Sequence, residues 1–166
     1  AYQEQLQLMQ QKLQSKEQFY QARQQLRHKE RNELLFQVKR LKNKLATAKK
    51  KGAAQATQQL KKELTAKKQK ELKLHKKASR LRVDFYKTRV ARRRHEVKQI
   101  KEKKKLIRED KKVAKKQKDQ KKLEQLAKQL GELAGRQAAV TQKADLEKIK
   151  LQQAQMAYLE ASKRTL

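Results

Sequence analysis

The side chains with the strongest chemistry in this sequence are cations in succession. Arg80, Arg82, Arg89, Arg92, Arg93 and Arg94 fall within fifteen residues. Lys98, Lys101, Lys103, Lys104, Lys105, Arg108, Lys111, Lys112, Lys115 and Lys116 follow, and Lys118, Lys121 and Lys122 extend the run. Arg offers a planar fork that grips phosphate with two parallel hydrogen bonds, whereas Lys is a compact point charge. The chemistry open to such a run is polyanion binding. Glu102, Glu109, Asp110 and Asp119 offset only part of it. At the helical period these cations cover most of the circumference rather than one stripe. Like charges four residues apart each oppose a helix by ~0.2–0.5 kcal/mol. The stretch is therefore expected to tighten when a polyanion neutralises it.

Catalytic chemistry has little to work with. His28, His75 and His95 show no i,i+4 pairing of the kind that builds a metal site on a helix, and no acid cluster accompanies them. They are expected to be solvated or to touch phosphate. Ser15, Ser79 and Ser162 do not sit on a strand-turn-helix elbow. Cysteine is absent, so there is no thiol nucleophile, thiolate site or disulfide, and Gly52, Gly131 and Gly135 are too far apart to cradle a phosphate. The expectation is a non-enzymatic protein with no metal, cofactor or small-molecule substrate.

The cations must be carried on something. The 166 residues hold 48 Lys and Arg against 17 Asp and Glu, a net charge of +31. A small domain needs a net charge of only ~2–8 for solubility. The excess is uneven. Residues 51–100 hold 17 basic and 4 acidic residues, whereas 131–166 hold 6 and 4. Leu, Ile, Val and Phe supply 34 residues, too few for a globular core. Ala, Glu, Lys, Leu and Arg supply 102, above the ~50% typical of coiled coils. With no Pro, helix is allowed from end to end. Gly is then the main stop signal, and it divides the chain into helices over about 2–50, 54–130 and 137–165.

Apolar residues recur at three- and four-residue steps, the seam of a helix pair. The first helix offers Leu6, Met9, Leu13, Leu34, Val38, Leu41, Leu45 and Ala48. The second offers Leu60, Leu64, Leu74, Ala78, Leu81 and Phe85, then Val83, Tyr86, Val90, Val97 and Ile100 on a nearby register. The seam thins over 101–122 and recovers at Leu123, Leu126, Leu130 and Leu133, with Val140, Ala144, Leu151 and Tyr158 beyond. The expected fold is all-α. An elongated antiparallel coiled coil of two long helices carries a shorter third helix on the far end of helix two, in a single domain over 1–166. Helices one and three would meet end to end. A turn near Gly52 pairs residues whose numbers sum to about 104. That places Phe19-Tyr20-x-x-Arg23-x-x-x-Arg27 opposite Phe85-Tyr86-x-x-Arg89-x-x-x-Arg93, so their aromatics are expected to share a core layer.

The functional expectation is an architectural scaffold on nucleic-acid backbone, RNA or DNA, read without sequence specificity. Each neutralised phosphate releases counterions, and a long basic helix can make many such contacts. Finger, RNP-like and helix-turn-helix patterns are missing, and the few aromatics disfavour single-strand stacking. An anionic membrane is the alternative, because basic helices lie on acidic lipid and long helical hairpins serve membrane-remodelling scaffolds. A coiled-coil stalk or adaptor for an acidic protein partner is the third reading, supported by the Gln-rich start and the Ala-rich last segment. Self-association through helical seams is also expected. The chain shows neither a signal peptide nor an apolar run near the ~18 residues of a membrane span, so an intracellular setting is favoured. It lacks an initiating Met, which suggests a fragment or processed chain.

Overall fold

A computed structural model describes residues 1–164. Three helices account for almost all of them: α1 (Tyr2–Lys50), α2 (Ala54–Lys116) and α3 (Gln120–Lys163). No strand occurs among the described residues. The helices pack as two compact units. One combines Ala1–Glu17 with Tyr86–Leu151 and is called the first unit below. The second combines Gln18–Phe85 with the chain from Gln152 onward.

Both turns use the same hydrogen-bond pattern. After α1, Gly52 N–H donates to Lys49 O at 3.2 Å and Ala53 N–H to Ala48 O at 3.2 Å. After α2, Lys118 N–H donates to Lys115 O at 3.2 Å and Asp119 N–H to Ala114 O at 3.1 Å. Each is a Schellman stop, which needs its central residue in the left-handed region. Gly52 adopts φ 68° freely, and Lys118 adopts φ 54° against its Cβ. Asp119 then caps α3 by accepting the Lys122 backbone N–H at 3.2 Å.

The second turn therefore lies at Lys118 and Asp119, not at Gly131 and Gly135 as expected. Helix two ends at Lys116 rather than near 130, and helix three starts at Gln120 rather than near 137. Gly131 and Gly135 are helical, with open space where a Cβ would stand. A helical Gly costs only ~1 kcal/mol against Ala. The apolar face from Leu126 to Val140 and Ala144 is buried on both sides of them and outweighs that cost. The break falls instead where the seam is thinnest and lysine densest.

The seam positions follow the expected spacing. Leu6, Leu13, Val38, Ala48, Leu64, Val83, Phe85, Val90, Ile100, Leu126, Val140 and Ala144 are buried. No large side chain is fully enclosed among the described residues, as befits a seam rather than a core. In α1 the less exposed positions alternate by four and three from Leu6 to Ala48, passing through Gln10, Glu17, Tyr20, Gln24, Arg27 and Arg31. Met9 lies off that line and is 46% exposed. Phe19 lies off it as well, 52% exposed, edge-on to Tyr20 and under the Arg23 guanidinium. Phe85 is buried, so the two phenylalanines of the repeated motif differ in environment.

The register of α1 on α2 matches a turn near Gly52. In the second unit Arg31 meets Glu71 at 2.7 Å. In the first unit Gln10 reaches Glu96, and His95 Nε2 lies 2.6 Å from the Leu6 carbonyl oxygen. The earlier second turn lengthens α3 to 44 residues. Within the first unit α1 and α3 consequently lie side by side on α2, where an end-to-end meeting was expected.

Replacing Lys118 by Gly removes the left-handed penalty of ~1–2 kcal/mol and adds back ~0.5–1 kcal/mol of chain entropy. The Lys118→Gly variant is expected to gain about 0.5–1 kcal/mol in denaturant unfolding.

Candidate functional site

The arginine cluster divides by environment. In the first unit Arg89, Arg92 and Arg93 turn inward to three glutamates. Arg89 Nε stands 3.2 Å from Glu17 and 3.3 Å from Glu147, joining α1, α2 and α3 through one side chain. Arg92 Nε lies 2.7 Å from Glu17, and its Nη1 lies 3.6 Å from Glu96. The short Arg92–Glu17 contact is off the N–H axis, so it is a charge contact rather than an aligned hydrogen bond. Arg93 Nη1 donates to Glu96 at 3.2 Å, and its Nε donates to Glu147 at 3.5 Å.

Three guanidinium groups thus face three carboxylates, and the cluster is locally neutral. It is also sheltered. The Glu147 side chain is 8% exposed, Glu17 14%, Arg92 16% and Arg93 15%. Burial works against the Arg93 charge, but the pairs with Glu147 and Glu96 outweigh it and hold its pKa above the ordinary arginine value. These arginines fix helix register.

The remaining cations of the run sort into one face. One row of exposed α2 positions alternates by four and three: Lys87, Ala91, Arg94, Lys98, Lys101, Lys105, Arg108, Lys112 and Lys115, with Lys103, Leu106, Glu109, Asp110, Val113 and Lys116 also exposed outside it. Eight of these nine positions are basic and all nine are exposed. That alternation marks adjacent rows on one helix surface. None of the eight cations forms an ion pair or side-chain hydrogen bond among the described residues. At ~1.5 Å rise per residue the stripe runs about 42 Å, with a charge every ~5 Å. The circumferential spread expected from composition is therefore narrowed. Packing takes up some of the cations, most of the exposed ones fall on this row, and Lys103 and Lys116 stand outside it.

The other expected site residues lie elsewhere. Lys104 is half-buried and donates to Gln137 Oε1 at 2.7 Å, while Lys111 is also half-buried. Lys103 is exposed beside the groove formed by Leu106, Ile107 and Leu133. Lys116 is exposed in the last turn of α2. Arg80 and Arg82 belong to the second unit. Arg80 lies over the Tyr158 ring at 5.6 Å and pairs loosely with Asp84 at 3.9 Å. Arg82 lines a groove with His28, Arg31 and His75. Lys87 was missed because it precedes the dense run, and only its place in the exposed alternation reveals it.

Two of the three histidines differ from the solvated expectation. His95 is buried, and its Nε2–H donates to Leu6 O. His75 is half-buried, and burial first, then the Arg31 and Arg164 charges, hold its pKa below the usual histidine value. His28 is exposed.

No protein-family model, curated protein or solved structure matches this chain. The residues and their geometry therefore carry the functional argument.

Removing one carboxylate from the sheltered cluster leaves Arg89 and Arg93 undercompensated. Glu147→Gln is expected to destabilise the fold by about 2 kcal/mol in urea unfolding, while substitution of the exposed Glu109 stays within about 0.5 kcal/mol.

Proposed function

We propose that the protein binds the phosphate backbone of nucleic acid through the α2 stripe, as a non-enzymatic scaffold without sequence readout. The observation that carries this reading is the row from Lys87 to Lys115, with eight exposed cations that form no ion pair among the described residues. A solvated surface needs no such sorting and ordinarily mixes the two signs. A duplex presents a charge every ~1.7 Å along its axis, so the stripe can meet several phosphates at once. Its side chains are long and flexible, which suits contact with backbone and shape. Six of the eight are lysines, point charges without the bidentate fork that reads base edges.

Anionic lipid fits the stripe less well. An interfacial helix needs bulky apolar side chains beside its basic face. Among the described residues α2 exposes only two large apolar side chains, Leu106 and Val113. A stalk for an acidic protein would use the same cations and is separated by competition. No helix among the described residues is long and apolar enough to cross a membrane.

The test is binding to a labelled ~30-base-pair duplex over a salt series. Each phosphate neutralised contributes ~0.9 to the salt slope. The Lys101→Gln, Lys105→Gln, Arg108→Gln, Lys112→Gln variant is expected to reduce the slope by about three to four and to weaken all duplex sequences alike. An unchanged slope contradicts the assignment. Displacement of the duplex by anionic liposomes at equal charge moves the reading to membranes.

A further inference from the structure

A second concentration of positive charge lies in the second unit and is built differently. Arg23 and Arg27 of α1, Lys76, Lys77 and Arg80 of α2, and Tyr158 of α3 converge on one groove of about 400 Å³. That volume falls in the ~300–1,000 Å³ range of small-ligand sites. Leu81 completes the lining, and the aliphatic stems of the long cations supply the rest of an apolar wall. Two carboxylates offset this charge, Glu30 on Arg27 at 3.1 Å and Asp84 on Arg80 at 3.9 Å. Neither lines the groove. Five cations against two carboxylates leave a net +3.

Such a cluster opposes its own folding. Arg23 and Arg27, like Lys76 and Arg80, are like charges four residues apart, each pair costing ~0.2–0.5 kcal/mol. The geometry nevertheless holds them together. Arg80 is fixed over the Tyr158 ring at 5.6 Å, and Arg23 over the Phe19 ring at 5.1 Å. Hydrogen bonds from Arg80 and Ser162, with the nearby Lys76 charge, hold the Tyr158 phenol below its ordinary pKa. That phenol is the one neutral polar group among five cations. It can donate a hydrogen bond to an oxyanion without adding charge.

We propose that this groove is a discrete binding site for a small, multiply charged phosphate compound, a polyphosphate group carrying three or more negative charges. Arg23 and Arg27 of α1 and Lys76, Lys77 and Arg80 of α2 supply its cationic contacts, and the Tyr158 hydroxyl donates to a terminal oxygen. A single phosphate satisfies at most two or three of these donors, so charge number discriminates. Sequence reading does not anticipate the site, because its two basic pairs lie some fifty residues apart and look like ordinary solvated charge.

The experiment is calorimetric titration of the intact chain with tripolyphosphate at fixed ionic strength, with orthophosphate and sulfate as controls. One saturable site is expected, at least about tenfold tighter for tripolyphosphate than for orthophosphate. The Arg27→Gln, Lys76→Gln variant should lose at least about tenfold in affinity. Because Arg27 also sits in the α1 seam and pairs with Glu30, its melting curve is recorded alongside, and a Lys77→Gln, Arg80→Gln variant at two exposed positions should show a loss of the same order. Bound tripolyphosphate should raise the pH at which a phenol ionises in ultraviolet titration, an effect that Tyr158→Phe abolishes. The four-residue stripe variant described above should bind tripolyphosphate normally, so failure of this site and failure of the stripe are separately visible. Absence of saturable binding, equal binding by the Arg27→Gln, Lys76→Gln variant, or equal loss of duplex binding in that variant would each overturn the proposal.

Discussion

The contact of Arg89, Arg92 and Arg93 with Glu17, Glu96 and Glu147 is the constraint on which the first unit depends. A chain with this much positive charge and so thin an apolar seam has little to hold its helices in register. Leucine and valine layers say that helices pack, but they tolerate slippage by a heptad. A half-buried carboxylate placed among guanidinium groups does not, because moving it leaves charge unpaired in a poorly hydrated setting. Glu147 of α3 and Glu17 of α1 both meet Arg89, so one arginine fixes two partners. Arg31 and Glu71 do the same for α1 on α2 in the second unit.

This placement of the acids also determines the outer surface. The chain has 17 carboxylates for 48 cations, and four of the sheltered ones, Glu17, Glu71, Glu96 and Glu147, are spent between helices. What remains outside is strongly basic almost by default. On α2 the outward positions from Lys87 to Lys115 carry the longest such row. Fold and proposed function thus draw on a single resource. Arginine, with its bidentate fork and weaker hydration, serves the sheltered pairs, while lysine, strongly hydrated and mobile, dominates the exposed stripe.

Much of the architecture was legible because its causes are local. Lack of Pro, heptad spacing and Gly52 in a left-handed cap lead directly to long helices, the first turn and the α1–α2 register. The second turn was not legible in the same way. Gly131 and Gly135 looked like stops, but a continuous apolar face kept them helical. The actual stop uses a lysine in a conformation that favours glycine, with Asp119 as its only conventional signal. The polar middle of the α1 seam was equally hidden. Glu17, Gln24, Arg27 and Arg31 sit at seam positions where an apolar pattern search sees a gap, and Phe19 was read as core although it lies one step off the line. For the site, charge density was visible and direction was not. Arg89, Arg92 and Arg93 resemble Arg94 in sequence, and only the glutamates brought from α1 and α3 distinguish them.

The account rests on the claim that the cations of α2 form one outward, ligand-facing row and that the inward ones are already paired. The most direct test is lysine-selective acylation followed by mass spectrometry, with and without duplex. The account predicts protection confined to Lys87, Lys98, Lys101, Lys105, Lys112 and Lys115, while Lys103 on the same helix and Lys39 and Lys42 on α1 stay as reactive as in the free protein. Even protection of every lysine, or protection concentrated on α1, would contradict it.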